Sequence, residues 1–275
     1  SVTDLDRESL RSHPWSLSGG GANDVLEALD SSRKGKLGEK IESVGFSAIT
    51  GEDDVYVAQR QFFNRKIPSI STRGFVVGDA VRDWSTAPNL RVLYPLDSSP
   101  HDRGKIEDFL WSKRQLLRSN IYFGETKERR NIPWSDYVFS MPSRLTAQYL
   151  VTFAFVATHN HFVLDRGGKV FKQSAPVIKL PEEAGEDEHL ELLGVLNSST
   201  ACFWLKQVCH NKGGPGGGYS KGEKWRDFYE FTGTKLQEFP LPAVLPLELG
   251  RALDSLAQDL AAQEPSAIAE AATPT

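Results

Sequence analysis

The sequence has little cysteine and no long apolar run. Only Cys202 and Cys209 occur among the 275 residues, whereas a disulfide framework or a structural zinc site normally draws on four ligand residues or more. We therefore predict neither, and expect a protein of the reducing cytoplasm in which both thiols pack as small hydrophobic groups. No segment approaches the length of a membrane span, and the polar residues 1–11 lack the layout of a signal peptide. The sequence thus predicts a protein with no membrane partner.

The composition is that of a globular protein, and the charge is divided unevenly along the chain. Hydrophobic residues make up 39% and charged residues 25%, and this length suffices for one large domain or two small ones. Residues 33–180 contain 23 Lys and Arg against 15 Asp and Glu, a net charge of +8. The flanking residues 1–32 and 181–275 are acidic, with net charges of −4 and −8. The middle of the chain is therefore the part suited to an acidic partner such as nucleic acid.

Hydrophobic periodicity predicts an α+β fold. Short β-branched and aromatic runs such as 73–79 and 90–95 indicate strands, and Arg166-Gly167-Gly168 indicates a hairpin turn. Residues 104–120 have helical spacing with a basic margin, and 190–208 outline a buried helix. We predict four parts: a linker with short helices at 1–44, a β-rich domain with a mixed or antiparallel sheet and packed helices at 45–180, a helical portion with a Gly-rich loop at 181–263, and a flexible tail at 264–275.

Several separated stretches of the sequence carry a family resemblance. They are residues 51–56, 75–79 with 81–84, 113–118, 192–198, 210–213 and 229–241. In this order and spacing they resemble the target-recognition region of single-chain, type IIG-like restriction-modification enzymes. They resemble more closely the PglX-type adenine-specific DNA methyltransferases of BREX phage defence. The last two stretches, HNKG and YEFTGTKLQEFPL, are the most specific.

The resemblance implies an enzyme that binds S-adenosylmethionine, flips an adenine out of duplex DNA and methylates its exocyclic amine. These 275 residues contain neither an Asn-Pro-Pro-Tyr or Asp-Pro-Pro-Tyr motif nor a Phe-x-Gly-x-Gly loop. We therefore expect the catalytic domain to lie upstream, and no catalytic residue, cofactor site or metal site within this segment. The partners implied are double-stranded DNA, the catalytic domain of the same chain, and other proteins of the defence system.

Basic side chains of the middle region are the natural candidates for contacts with DNA phosphates, and some of the arginines for contacts with guanine edges. They are Arg60, Arg65, Lys66, Arg73, Lys113, Arg114, Arg118, Lys127, Arg129, Arg130 and Arg144. The cluster at 127–130 is the leading candidate because it stands in a polar loop, where recognition residues tend to be found. For each of these residues, the alternative is an ordinary solvated surface charge.

A second group surrounds the glycine-rich residues 213–218. It consists of Asn211, Lys212, Lys221, Lys224 and Arg226. The glycines lack the Lys-Ser/Thr pair of a nucleotide-binding loop, so we interpret the segment as a basic loop that orders on DNA, or alternatively as an inert connection.

Other interpretations of the sequence stay open. His159 and His161 resemble a nuclease metal pair, although surface histidines are the simpler reading. Trp84, Trp134, Phe203 and Trp204 suit base stacking, although such aromatics usually pack in a core. The chain also suits a separate specificity subunit, or a docking module for proteins of a defence complex through its acidic final third.

Overall fold

The structure is a computed structural model. It describes residue 11 and residues 21–67, 70, 72–82, 84–86, 90–96, 98–214, 223–265 and 267–268. Lys221 and most of the predicted tail lie outside the described residues.

Helices and short strands alternate along the chain, and the predicted α+β class is confirmed. The helices are α1 (Ala22–Ser32), α2 (Leu37–Lys40), α3 (Asp53–Tyr56), α4 (Arg60–Lys66), α5 (Pro100–Leu110), α6 (Arg114–Ser119), α7 (Pro142–Leu145), α8 (Glu186–Leu196), α9 (Ser199–Val208), α10 (Gly233–Gln237) and α11 (Leu247–Ala262). Single 3₁₀ turns occupy Gly78–Ala80, Trp111–Lys113 and Lys224–Arg226.

The strands form several small sheets. They are β1 (Gly35–Lys36), β2 (Ser43–Gly45), β3 (Ala48–Ile49), β4 (Val57–Gln59), β5 (Thr72–Val76), β6 (Val81–Arg82), β7 (Ser85–Thr86), β8 (Leu90–Leu93), β9 (Ile121–Tyr122), β10 (Glu125–Thr126), β11 (Phe139–Ser140), β12 (Leu150–Phe153), β13 (Val156–Ala157), β14 (Phe162–Asp165), β15 (Lys169–Phe171), β16 (Val177–Lys179), β17 (His210–Gly213), β18 (Phe228–Glu230) and β19 (Pro240–Leu241).

A first sheet has the strand order β15-β5-β8-β4. The pairing of β15 with β5 is parallel and the other pairings are antiparallel, so this sheet is mixed. Helices α5 and α6 contribute Ile106, Leu110 and Leu117 to the hydrophobic core that includes Phe75 and Val92 of the sheet. Helix α6, which carries the predicted DNA contacts Arg114 and Arg118, therefore packs on this first core through Leu117.

A second sheet, in the order β14-β12-β16-β2, is wholly antiparallel. Its buried side chains, including Val151 and Ile178, share one core with Leu193 of α8 and Leu205 of α9. Residues on both sides of position 180 thus belong to the same second core, because the sheet needs the C-terminal helices to cover its apolar face.

Three local predictions are wrong. The single buried helix predicted at 190–208 is two helices, α8 and α9, which are separated at Asn197 and Ser198. The Ser198 hydroxyl accepts a hydrogen bond from the Ala201 backbone and so caps the start of α9. The turn at 166–168 does not close a hairpin: β14 belongs to the second sheet and β15 to the first, so Gly167 and Gly168, both with positive φ, carry the chain from one sheet to the other. The predicted helix at 104–120 is interrupted by the 3₁₀ turn Trp111–Lys113. That turn reorients the chain so that Leu117 of α6 is still buried in the first core.

Helix α11 packs closely on α8. A Cβ atom at Gly250 would overlap the backbone carbonyl of Leu190, and one at Gly194 would lie 3.0 Å from the Pro246 ring. Small residues at such a crossing let two helix backbones approach. Arg166 adds an ionic contact, since its Nη2 lies 2.6 Å from the buried carboxylate of Asp254 on α11.

None of the helices in the described ranges is both long enough and apolar enough to cross a membrane.

Candidate nucleic-acid interface

A basic stretch of the chain contains a short β-hairpin. Residues 113–130 contain six Lys or Arg against two Glu, a net charge of +4. They pass from the 3₁₀ turn through α6 and the β9–β10 hairpin into a polar turn. We call this region the hairpin surface and define it by Lys113, Arg114, Arg118, residues 121–126, Arg129 and Arg130.

The tip of the hairpin is an exposed aromatic residue. Tyr122 pairs with Glu125, which leaves Phe123 and Gly124 as a two-residue turn with φ of 52° and 78°. Positive φ at both central positions is the mark of a type I′ turn, whose twist matches that of the paired strands. Phe123 is 85% exposed, and a Cβ at Gly124 would meet no described atom within 4 Å. The tip therefore projects into solvent.

Two of the arginines are held by neighbouring side chains. Arg118 pairs with Glu128 at 3.0 Å, which ties α6 to the turn after the hairpin. The guanidinium carbon of Arg114 lies 4.8 Å from the ring centroid of Trp111 and 5.9 Å from that of Trp134. Both arginines keep their positive charge near the surface, in geometries that cost little further ordering on binding.

The remaining cations of this surface differ in how tightly they are held. Arg130 donates to the carbonyl of Val138 at 3.1 Å, and its guanidinium carbon lies 5.2 Å from the Tyr122 ring centroid. Lys113 and Arg129 are exposed, and within the described part of the chain neither side chain has a hydrogen-bond or ion-pair partner. These two cations are the most available for DNA phosphates.

Lys127, central to the leading sequence prediction, is 2% exposed and does not face solvent. Its ammonium donates to the backbone carbonyls of Asp136 at 2.6 Å and Trp134 at 3.2 Å, and reaches the Tyr56 hydroxyl at 3.5 Å. Burial lowers the pKa of the Lys127 ammonium to about 8, against the opposing effect of Asp136 and Glu52. A phosphate contact needs an exposed cation, so the prediction for Lys127 is wrong: this residue anchors the turn from inside.

Arg144 and Arg73 are also occupied within the protein. Arg144 is 8% exposed, and its Nη1 donates to the carbonyl of Phe46 at 2.6 Å. Arg73 donates to the carbonyl of Leu145 at 3.0 Å, and its guanidinium carbon lies 3.6 Å from the Tyr94 ring centroid. The phosphate contact predicted for Arg144 is excluded by its burial, and Arg73 is committed to structural contacts.

Helix α4 presents a further basic group near α5. Arg60, Arg65 and Lys66 are all exposed on this helix. The helix is attached to α5 through the rings of Phe62 and Phe109, which meet edge to face with centroids 6.3 Å apart. Helix α5 continues through the 3₁₀ turn into α6. The basic helix α4 therefore packs on the same segment of chain that leads into the hairpin surface.

The second predicted group lies on the paired strands β17 and β18, which flank the glycine-rich segment. Asn211 donates to Asp227 at 3.1 Å, and its Oδ1 accepts from the backbone of Gly213 at 2.7 Å. Lys212 pairs with Glu230 at 2.7 Å. Asn211 and Lys212 therefore bind within the strand pair, which reduces their availability for DNA.

The end of this strand pair carries an exposed aromatic residue. Trp225 is 73% exposed, and Arg226 beside it pairs with Glu223 at 2.8 Å. The Lys224 backbone belongs to the same 3₁₀ turn, while its side chain, like the whole of Lys221, is outside the described residues.

Sequence reasoning did not single out Phe123 or Trp225, and weighed base stacking against core packing for other aromatic residues. Trp204 is 6% exposed and packs edge to face on Phe239 at 5.4 Å. Trp84 packs against the second core and Trp134 against the first. The predicted core role of these three tryptophans is confirmed. The Phe-Gly pair at the hairpin tip is not among the turn pairs by which a hairpin is recognised in a sequence, so no signal was available for it.

Cys209 and the pair of His159 and His161 were considered as candidates for chemistry from the sequence. Cys209 lies in the second core, and burial raises the pKa of its thiol to about 12, which is the predicted packing as a small hydrophobic group. The rings of His159 and His161 have centroids 4.1 Å apart. In the described portion, no group of three or more His, Cys, Asp or Glu side chains is arranged to hold a metal ion.

Comparisons with known proteins agree with the family resemblance. The chain is 44% identical, over its full length, to the adenine-specific methyltransferase PglX of Streptomyces coelicolor, of which it spans 24%. No protein-family profile matches it.

Two solved structures share the fold. One is the type IIL restriction-modification enzyme MmeI in complex with DNA, with a TM-score of 0.54 and 12% identity, covering 85% of this chain and 29% of that enzyme. The other is the type IIG restriction endonuclease BpuSI, with a TM-score of 0.52 and 10% identity, covering 87% of this chain and 28% of that enzyme. The chain is thus similar to one region of larger DNA-modifying proteins.

Proposed function

We propose that this chain, whose full length is similar to a region of the adenine-specific methyltransferase PglX, is the segment of such an enzyme that recognises the DNA target. The observation that carries the proposal is the hairpin surface, where a two-stranded hairpin with an exposed tip is flanked along the chain by Lys113 and Arg129, exposed cations without partners among the described residues. A restriction-modification enzyme of the same fold was solved in complex with DNA, which supports DNA as the ligand.

The parts of the hairpin surface have different tasks in this proposal. Lys113 and Arg129 neutralise phosphates, which fixes the orientation of the protein on the duplex without reading its sequence. The major groove admits a two-stranded β-ribbon, so the hairpin brings Arg130 and neighbouring side chains to base edges. Lys127 holds the underlying turn in place through its bonds to backbone carbonyls.

The methyl donor S-adenosylmethionine is assigned to a catalytic domain outside these residues, as in a PglX-type enzyme of phage defence. The sequence lacks the motifs expected for the cofactor and for the flipped adenine. A cavity of about 250 Å³ beside Leu29, Val195 and Phe239 has no carboxylate in its lining to accept hydrogen bonds from the cofactor's ribose. The lining of this cavity therefore does not fit the cofactor, and the proposed task of this chain is selection of the site.

Selection of duplexes from a random pool tests this function. The protein is incubated with duplexes that carry a randomised central segment, and the bound fraction is amplified and sequenced over several rounds. A recognition segment enriches one short sequence, and alanine at both Lys113 and Arg129 weakens binding to all duplexes alike, since phosphate contacts carry no sequence information. A bound pool without a shared sequence contradicts the proposal.

A second function, protein docking, is favoured by one feature of α11. Leu249, Leu253, Leu256 and Leu260 are 44–67% exposed and follow one another at intervals of four, three and four residues. That spacing is the seam of a coiled coil, and it suits an amphipathic helix of a partner protein. If docking is the main function, DNA affinity is weak and is unchanged by the substitutions at Lys113 and Arg129.

A further inference from the structure

Phe123 is an unfavourable residue at the hairpin tip, both in its backbone conformation and in the exposure of its side chain. Its φ of 52° lies in the left-handed region, where a bulky residue is an outlier and where type I′ turns prefer Asn, Asp or Gly. Its ring is also 85% exposed to solvent, so no burial offsets the strain. Neither local turn preference nor packing explains an aromatic residue at this tip, and strain of this kind concentrates at functional sites.

The ring is nevertheless held in place. Its centroid lies 4.3 Å from that of Tyr122, whose own ring lies 6.0 Å from Phe139. The Arg130 guanidinium is positioned over Tyr122, and the strand pairing of Tyr122 with Glu125 fixes the turn. The tip is therefore an exposed apolar ring that packs against Tyr122, which is itself held by Phe139 and Arg130.

The surroundings define the ligand. Lys113 and Arg129 are exposed cations of the same surface, and they favour a polyanion. The ring of Phe123 and the adjacent Ile121, which is 68% exposed, favour flat apolar faces. Duplex DNA offers both, as phosphates on its outside and base pairs stacked within.

We propose that Phe123 is a wedge that enters between two adjacent base pairs of duplex DNA, while the cations of the hairpin surface hold the flanking phosphates. The inference rests on the proposed DNA-recognition function and adds a contact with the base stack. Insertion partly unstacks one step and kinks the duplex. Pyrimidine–purine steps deform most easily, so the wedge enters at TA or CA steps and selects for them.

Permanganate oxidation of thymines tests the wedge, because unstacked thymines react faster than stacked ones. A duplex of several hundred base pairs is oxidised with and without the protein, and the reactive positions are mapped. The wild-type protein is expected to create strongly reactive thymines at discrete steps. Phe123→Asn is expected to abolish them and to weaken binding about 10-fold, as the loss of one stacking contact does, while the slope of affinity against salt is unchanged.

The choice of variants keeps folding separate from binding. Phe123→Asn produces the Asn-Gly pair preferred in type I′ turns, so its melting temperature is expected to equal or exceed that of the wild type. Phe123→Leu keeps an apolar wedge and is expected to retain part of the reactivity. Val244→Ala, where the valine is 83% exposed and lies outside every proposed binding surface, is the control and is expected to change nothing.

The outcomes distinguish the wedge from the function on which it rests. If Phe123→Asn binds DNA with wild-type affinity and gives the wild-type oxidation pattern, the wedge is refuted and DNA recognition stands. If the wild-type protein binds no duplex at low salt, the proposed function fails and the wedge fails with it. Tight binding without any reactive thymine also overturns the wedge.

Discussion

The Lys127 ammonium donates a hydrogen bond of 2.6 Å to the backbone carbonyl oxygen of Asp136, inside the protein and beneath the turn that carries Arg129. Arg129 lies only two positions after Lys127 in the sequence, yet Lys127 is buried and Arg129 is exposed. The buried amine satisfies carbonyl groups that the turn leaves without strand partners. The exposed guanidinium is thereby presented to solvent on an ordered support.

The buried amine predicts an unusual dependence of stability on pH. Its pKa is about 8 in the folded protein against 10.5 when unperturbed, so between these values the unfolded chain binds one more proton than the folded one. The free energy of unfolding therefore rises with pH from about 8, by up to ~3 kcal/mol in total from this group. Burial raises the pKa of Tyr56, which opposes the rise above about pH 10. Urea denaturation at pH 7, 8, 9 and 10 measures the trend.

Lys127→Met is the matched variant for this measurement. It keeps an unbranched side chain of similar length and removes the titrating group, so subtracting its profile cancels the contributions of other residues. The free energy of unfolding of the wild type minus that of the variant should increase from pH 8 to pH 10. Parallel profiles over that range would show that the amine titrates normally and is not buried as described.

The ion pair between Arg166 and Asp254 predicts a stability effect far from the hairpin surface. Arg166→Ala leaves the Asp254 carboxylate, whose side chain is 5% exposed, without its cationic partner. We expect the free energy of unfolding to fall by about 2 kcal/mol, because removal of one partner leaves an uncompensated buried charge. Arg251→Ala is the control, since its pairs with Asp187 and Glu248 are exposed, and it should leave stability unchanged. Equal losses in both variants would contradict the account.

Two helix glycines should respond in opposite directions to the same substitution. Gly250→Ala places a methyl group against the Leu190 carbonyl and should separate α11 from α8, at a cost of about 2 kcal/mol. Gly104→Ala on α5, where a Cβ meets no described atom within 4 Å, should stabilise by about 0.5–1 kcal/mol because alanine is the better helix former. Thermal melts of the two variants check the pair, and stabilisation by Gly250→Ala would rule out the close helix crossing.

The regular parts of this fold were predictable because they depend on periodicity. Leu190, Leu193 and Leu196 have helical spacing in the sequence, and all three are buried on α8. The connection at 166–168 was not predictable in the same way, since two short strands in succession look alike whether they pair with each other or join different sheets. The choice is made by long-range pairing, here of β15 with β5.

The candidate site was predictable in location but not in detail. A charge count identifies the basic middle of the chain, and the hairpin surface lies within it. The count cannot tell that Lys127 points inward, because only the folded chain brings the carbonyls of Trp134 and Asp136 to its amine. Phe123 was missed for a different reason. The sequence signature of a type I′ turn is Asn-Gly or Asp-Gly, and Phe-Gly does not match it.

The central claim, that the hairpin surface binds DNA, is tested most directly by affinity for duplex DNA across a salt series. The wild-type protein is compared with Lys113→Ala/Arg129→Ala and with Arg251→Ala as the exposed control. Each phosphate contact contributes about 0.9 to the slope of log affinity against log salt, so the double variant should have a slope lower by about 2, with the control unchanged. A wild-type affinity that does not fall with salt, or a double variant with the wild-type slope, would contradict the claim.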